Sequence, residues 1–191
     1  KDDKPVVWVP NGLALGGGME LGTAAHYSIA VDTSKGPTDP GRIYFSQAEI
    51  GLNALPGFGG TQRWVREAYQ HAKDLIGNGL AGFQFAADSI MNGQPISVRE
   101  ATQHGLISEV VDANAATRGY ALLRGHIQGT DDTLRRAMQK RLELVDSWNL
   151  PMTDVPADYF SADGYFNQVI LPQAKKTGRL PAIEAMRNLL E

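Results

Sequence analysis

The segment that decides the fold of this 191-residue chain reads Asn11-Gly12-Leu13-Ala14-Leu15-Gly16-Gly17-Gly18-Met19-Glu20-Leu21. The apolar run from Pro5 to Pro10 before it predicts a short buried strand, and the pattern from Met19 to Ala25 predicts a helix. Three consecutive glycines between strand and helix let the backbone approach another group without an intervening side chain. Because amides at a helix N-terminus favour negative charge, this turn either binds an anion or developing oxyanion, or is simply closely packed.

Outward from this segment, short strands alternate with helices. The apolar patterns predict further strands over residues 27–31, 43–45 and 106–111, and helices from Thr61 onward and over 83–91.

The later part of the chain is predicted to be all helical. Ser97 and Glu100 have the spacing of a capping box, which opens a helix that ends near Gly105. Apolar residues recur on one face of a long helix from Leu134 to Trp148. A last helix is expected to start at Pro181. The predicted fold class is therefore α/β, with a β/α core over residues 1–112 followed by a helical region over residues 113–191.

Bulk composition narrows the possible functions. A formal net charge of −3 gives no electrostatic reason to expect nucleic acid or an anionic membrane as a partner. The absence of cysteine excludes disulfides and thiolate chemistry and is compatible with a reducing compartment, so a cytoplasmic location is expected. No apolar run is long enough to span a bilayer.

Two glutamates are candidate catalytic groups. Glu20 lies in the first turn of the predicted helix, where a carboxylate could also serve only to complement the helix dipole. Glu49 lies in an apolar neighbourhood, where an unpaired carboxylate is costly to bury. Glu49 could alternatively be the buried partner of Arg42 or Arg63.

Three blocks of the sequence resemble the enoyl-CoA hydratase/isomerase (crotonase) family. They are Lys4-Pro5-Val6-Val7 with Asn11 to Leu21; Phe45-Ser46-Gln47-Ala48-Glu49-Ile50 with Leu55 to Arg63; and Asn92 to Ser97 running through Glu100-Ala101 to Val111. The blocks occur in the family's order and cover most of residues 4–112. The resemblance implies a partial ββα superhelix core of the crotonase type, followed by the helical C-terminal region.

The resemblance also implies roles for individual residues. Gly17 matches the position whose amide forms one half of an oxyanion hole. Glu20 matches the glutamate that holds and activates water, and Glu49 matches the one that supplies a proton to the α-carbon. Substrate binding is expected from Gly16, Gly18, Pro56, Gly57 and Phe58. The implied substrate is a coenzyme A thioester, with no metal and no other cofactor.

The sequence departs from the family pattern in several places. The stretch between the two glutamates is longer than usual through residues 33–41, and a second insertion lies around residues 68–82. His26 stands where the family commonly has Asp. The family's upstream half, which holds the second oxyanion amide and much of the coenzyme A pocket, is expected to be missing from this chain. The family also implies a homo-oligomer, a trimer or hexamer, with the helical C-terminal region as the candidate interface.

Several functions remain open at this point. Both glutamates favour a hydratase, but an acyl-CoA isomerase or a ring-opening hydrolase of a cyclic acyl-CoA is a rival within the family. A non-catalytic crotonase-like subunit is a rival of another class, although a scaffold need not keep two acids in one pocket. A serine hydrolase is disfavoured because the chain lacks the G-x-S-x-G elbow, and its four histidines lack zinc-ligand spacing.

Overall fold

A computed structural model describes residues 4–32 and 42–190, and for residues 189 and 190 it describes the backbone alone. The strands are β1 (Val7–Trp8), β2 (Leu13–Leu15), β3 (Tyr27–Val31), β4 (Tyr44–Ser46), β5 (Ile96–Ser97) and β6 (Glu109–Val111). The α-helices are α1 (Gly17–Ala24), α2 (Gly60–Ile76), α3 (Gly79–Asn92), α4 (Val98–Gln103), α5 (Ala115–Gln128), α6 (Thr133–Ser147), α7 (Leu171–Thr177) and α8 (Leu180–Leu190). A 3₁₀ helix spans Ala48–Leu52 and a π-helix spans Phe166–Ile170.

The strands form two small sheets. One sheet has the order β1-β3-β6, and both of its pairings are parallel. The other has the order β2-β4-β5, in which β2 and β4 are parallel and β4 and β5 antiparallel. Among the described residues β1 and β2 each pair on one side only, so their other edges are open.

The main hydrophobic core lies around the α2–α3 hairpin. Its largest fully buried side chains include Trp64, Phe45 and Phe83. The C-terminal part of the chain belongs to this same core, because Phe166 and Met186 are buried within it. The structure thus confirms an α/β fold with a helical C-terminal region, while the predicted boundary at residue 112 stays a prediction.

A second, smaller core joins α5 and α6 to the β1-β3-β6 sheet. Ile29 of β3 packs there with Ala115, Leu122 and Leu134. Helix α6 is also attached to α1 and α2 by Arg141, whose guanidinium pairs with Glu67 and donates a hydrogen bond to a backbone oxygen of α1. Leu134, the first residue of the α6 face that was predicted to form an interface, is therefore already buried inside this chain.

Several elements differ from their predicted form. Strand β2 lies within the stretch that was predicted only as glycine-rich, and α1 begins at Gly17, two residues before its predicted start. The predicted strand over 106–111 is reduced to β6, because Leu106 and Ile107 bury their side chains without pairing. The capping box at Ser97 is confirmed. The insertion predicted over residues 33–41 lies outside the described residues.

Within the described ranges, no helix has both the length and the apolar character needed to cross a membrane.

Candidate active site

The turn before α1 brings the candidate residues together. Gly16 has φ 50° and ψ −122°, a conformation that side chains strongly disfavour. Its amide donates a 2.7 Å hydrogen bond to the Ser46 carbonyl, which fixes the turn against the end of β4. A Cβ at Gly16 would stand 2.4 Å from Glu49 Oε1, so the Glu49 carboxyl group packs directly on this backbone. Only glycine satisfies both requirements at this position.

Glu20 lies one turn further along α1 and is held at the start of α2. Its side chain is almost fully buried, with 1% of the residue exposed. The amides of Phe58 and Gly60 each donate a 2.8 Å hydrogen bond to Glu20 Oε1. The carboxylate therefore sits at the N-terminus of a 17-residue helix, where the helix dipole favours negative charge.

Glu49 is placed by the 3₁₀ helix that follows β4. Its Oε2 atom is buried and has no hydrogen-bond partner among the described residues. Neither Arg42 nor Arg63 forms an ion pair with it in the part of the chain that the structure describes. The alternative role as a buried structural partner of these arginines is therefore not seen, and the acid keeps a free oxygen for another molecule.

Gln47 is a polar neighbour that the sequence did not single out. The residue is fully buried, yet neither its amide nitrogen nor its amide oxygen has a hydrogen-bond partner in the described structure. A Cβ at Gly60 would stand 2.3 Å from Gln47 Nε2 and 2.9 Å from Glu20 Cγ, so these two side chains meet over Gly60. The sequence feature that could have identified Gln47 as a site residue is its position two residues before Glu49 in an apolar segment.

Gly17 is the first residue of α1. Its amide has no acceptor among the described residues, as expected for the first turn of a helix. The residue is exposed, and a Cβ added to it would meet no atom within 4 Å. The amide is therefore available to a bound group beside the turn that Glu49 contacts.

The expected substrate-binding residues lie in the turn before α1 and in the loop before α2. Pro56 is buried, whereas Gly57 and Phe58 are exposed, the side chain of Phe58 strongly so at 79%. The Phe58 amide is already used by Glu20, which leaves its ring rather than its backbone as the surface for a ligand. Substrate binding by these residues, and by Gly16 and Gly18, stays a prediction.

A cavity of about 770 Å³ lies away from this turn. It runs between the end of α1, α2 and α6, and its lining includes His26, His71 and Arg141. His26 accepts a 3.0 Å hydrogen bond at Nδ1 from the Val6 amide. Burial of the ring lowers the pKa of His26, and the positive charge of Arg141 lowers it further. The candidate active site itself is open to solvent around Gly17 and Phe58, so an enclosed pocket between the two glutamates remains a prediction.

The turn before α1 and the adjoining loop before α2 carry two glutamate carboxyl groups and one amide without an acceptor among the described residues. A carboxylate held by two amides can take a proton from water, and a carboxyl group with an unpaired oxygen can exchange a proton with a ligand. An unpaired amide at a helix N-terminus can stabilise negative charge on a carbonyl oxygen. Together these groups suit a reaction in which water adds to a double bond conjugated to a carbonyl, whose oxygen carries negative charge in the transition state.

Comparison with known proteins places the chain among relatives of one family. A family model described as enoyl-CoA hydratase/isomerase matches residues 1–143. Crotonyl-CoA hydratase from Syntrophomonas wolfei is 37% identical over 109 residues, which are 57% of this chain and 34% of that protein. Short-chain-enoyl-CoA hydratase from Clostridium acetobutylicum is 36% identical over 110 residues, 58% of this chain and 34% of that protein. The match thus spans about a third of the length of these relatives.

Solved structures show the same fold. An enoyl-CoA hydratase from Mycobacterium avium superposes with a TM-score of 0.55 at 20% identity, covering 97% of this chain and 62% of that one. A carnitinyl-CoA hydratase from Mycobacterium avium superposes with a TM-score of 0.52 at 24% identity, covering 100% of this chain and 56% of that one. The fold is that of the crotonase family, as the sequence blocks predicted.

Proposed function

Because the chain belongs to the enoyl-CoA hydratase/isomerase family, we propose that it is a lyase that adds water across the double bond of an α,β-unsaturated acyl-CoA thioester. The observation that carries this proposal is that the glycine turn before α1 is contacted by one glutamate and followed within one helical turn by another. The carboxyl group of Glu49 packs on Gly16, and Glu20 lies one helical turn beyond it. The relatives named above are hydratases, and that activity is extended to this chain only as our proposal.

In the proposed reaction Glu20 and Glu49 act as base and acid. Glu20 holds a water and takes one of its protons as the oxygen attacks the β-carbon of the thioester. The electron pair of the double bond moves toward the carbonyl oxygen, and a protonated Glu49 gives its proton to the α-carbon. Two acids are needed for this exchange, which favours a hydratase over an isomerase that would need only one proton shuttle.

The Gly17 amide is proposed to stabilise the enolate-like charge on the thioester oxygen. Such a charge is best held by two donors, and we propose that the second comes from a further segment that adds to the open edge of β2 or β1. That segment belongs either to the same polypeptide or to a partner chain. Full hydratase activity in a purified chain of residues 1–191, without any partner, would contradict this part of the proposal.

The proposal is tested by following the enoyl-thioester absorbance of the intact protein with a panel of acyl-CoA substrates. A hydratase lowers this absorbance without releasing free thiol. An isomerase raises it when supplied with a β,γ-unsaturated thioester, and a ring-opening hydrolase leaves it unchanged with enoyl substrates while consuming a cyclic acyl-CoA. No change with any of these substrates would favour the non-catalytic subunit and would refute an enzymatic role.

The remaining parts of the proposal concern the substrate, the oligomeric state and the cellular location. The substrate is an acyl-CoA, and the chemistry uses no metal and no cofactor beyond the coenzyme A thioester itself. We also propose a homo-oligomer, a trimer or a hexamer, and a cytoplasmic location. Cell fractionation with an antibody against the intact protein tests the location.

A further inference from the structure

The side chain of Arg63 lies behind Glu20. Its Nε donates to Thr23 Oγ1 at 3.4 Å, and its Nη2 donates to the Glu20 carbonyl at 3.5 Å and to the Phe58 carbonyl. No ion pair of Arg63 occurs within the described residues. The guanidinium thus directs its hydrogen bonds to three neutral oxygens, which is unusual for a group that prefers carboxylates.

One of these oxygens belongs to the loop that binds the Glu20 carboxylate. The amide of Phe58 donates to Glu20 Oε1 while the carbonyl of the same residue accepts from Arg63. Gly59 follows with φ 88°, and a Cβ there would stand 2.8 Å from Arg63 Nη1, so this peptide packs directly on the guanidinium. Gly60 then supplies the second amide to Glu20. Arg63 therefore supports the whole loop between the two amide donors.

The other two oxygens belong to α1, the helix that carries Glu20. Thr23 Oγ1 donates a 2.9 Å hydrogen bond to the Glu20 carbonyl, and both oxygens face Arg63. A single side chain therefore holds the backbone of Glu20 and the loop whose amides hold its carboxylate. We propose that Arg63 is a positioning residue, which fixes the Glu20 carboxylate in the orientation needed to activate water. This inference rests on the proposed hydratase function.

Replacement of Arg63 with Met keeps an unbranched apolar stem, although a shorter one, and removes all three hydrogen bonds. Because a small displacement of a catalytic group slows reaction strongly, we expect kcat to fall by about 10²-fold. KM should change less than kcat, because Arg63 contacts the expected substrate-binding residues through the Phe58 backbone, whereas the Phe58 ring is exposed. Arg63→Lys retains one charged donor that cannot reach three oxygens at once, so its kcat should lie between those of the wild type and Arg63→Met.

Arg66→Met is the matched control. Arg66 lies on the same helix and also donates to a backbone carbonyl, that of Leu150 at 3.2 Å. Its contact is remote from Glu20, so kcat and KM of this variant should equal those of the wild type. An equal loss in both arginine variants would indicate a general effect on α2 and overturn the positioning role.

A second readout does not depend on activity. Hydrogen exchange of the Phe58 and Gly60 amides, measured in the intact protein, should become faster in Arg63→Met and remain slow in Arg66→Met, because the hydrogen bonds to Glu20 loosen only in the first. Wild-type kcat and slow exchange in Arg63→Met would overturn the inference while leaving the hydratase proposal intact. If the wild type has no hydratase activity, the proposed function fails and the exchange rates alone decide whether Arg63 holds the loop. If Arg63→Met does not fold, Arg63→Lys and Arg63→Gln take its place in both measurements.

Discussion

Gly17 can be tested with little disturbance of the structure around it. It is the first residue of α1, a position that tolerates proline because the amide there has no partner within the helix. Gly17→Pro removes the proposed oxyanion donor and should lower kcat by about 10²–10³-fold. Gly17→Ala keeps the amide, and the added Cβ meets no atom within 4 Å, so this control should stay active. Circular dichroism checks that both variants fold; equal activity in both would argue against an oxyanion role.

His26, which directly precedes β3, makes a pH-dependent contact with Val6, which directly precedes β1. Nδ1 accepts a hydrogen bond from the Val6 amide only while the ring is neutral, and burial and the charge of Arg141 lower the pKa of the ring below its ordinary value of 6.5. The contribution to stability is therefore complete above that pH and is lost as pH falls through the lowered pKa.

The pH dependence of this contribution to stability can be measured by urea unfolding at about pH 7.5 and about pH 5.5. The wild type should lose more stability on acidification than His26→Gln, which can keep an acceptor oxygen for the Val6 amide but does not titrate. His126→Gln, on α5 and outside this contact, serves as the control and should behave like the wild type. Equal losses in the wild type and His26→Gln would contradict the assignment.

The candidate site was only partly predictable from sequence. Glu20 and Glu49 stand in local blocks that resemble a known family, so their positions could be recognised without a structure. Gln47 and Arg63 could not be assigned in this way, because their contacts depend on packing between distant segments. Arg63, for example, reaches Thr23 across 40 positions of the chain.

Among the elements, the α2–α3 hairpin is held by a close approach at Gly82. A Cβ at this position would stand 1.9 Å from the Ala68 carbonyl oxygen, a backbone atom that can move only with its helix. At Gly119 of α5, by contrast, a Cβ would make ordinary contacts with Val9 at 3.4 Å and Val7 at 3.5 Å.

These two helical glycines predict opposite effects of the same substitution. Gly82→Ala should destabilise the fold by roughly 1–3 kcal/mol, because the helices must separate. Gly119→Ala should be neutral or stabilise it by up to about 1 kcal/mol, because alanine favours the helix and fills existing space. Denaturant unfolding of the two variants measures whether each substitution lowers or raises the free energy of unfolding. Equal stability of Gly82→Ala and the wild type would contradict the close approach.

The secondary structure was predicted well where a pattern was long or bounded by turn residues. Strand β3 appears over its predicted range of residues 27–31. Strand β2 was missed because its three residues lie between glycines, and only pairing with β4 makes them a strand. The predicted strand from Leu106 was too long because burial of apolar side chains does not require a strand.

For the whole molecule, we propose that copies of the chain assemble through α6. On α6, Leu134 is buried in the second core, but Leu142 is 60% exposed and Val145 is 41% exposed. This exposed part remains our candidate for the proposed oligomer interface. We predict that Val145→Asp dissociates the oligomer, because a charge without a partner is costly to bury in an interface.

Val169→Asp is the matched control, since Val169 lies on the π-helix with a similar exposure of 44%. Sedimentation should show a trimer or hexamer for the wild type and for Val169→Asp, and smaller species for Val145→Asp. A monomeric wild type, or an unchanged assembly in Val145→Asp, would contradict this interface.

The central claim is that Glu20 and Glu49 act together on one substrate, and turnover of an enoyl-CoA by their glutamine variants tests it most directly. Glu20→Gln and Glu49→Gln should each lower kcat by roughly 10²–10⁴-fold with the fold unchanged. The double variant should lose little more than the worse single one, because groups that act as a unit are not additive. Glu184→Gln, an exposed residue of α8, should keep wild-type turnover. Full activity in either Glu20→Gln or Glu49→Gln would contradict the claim.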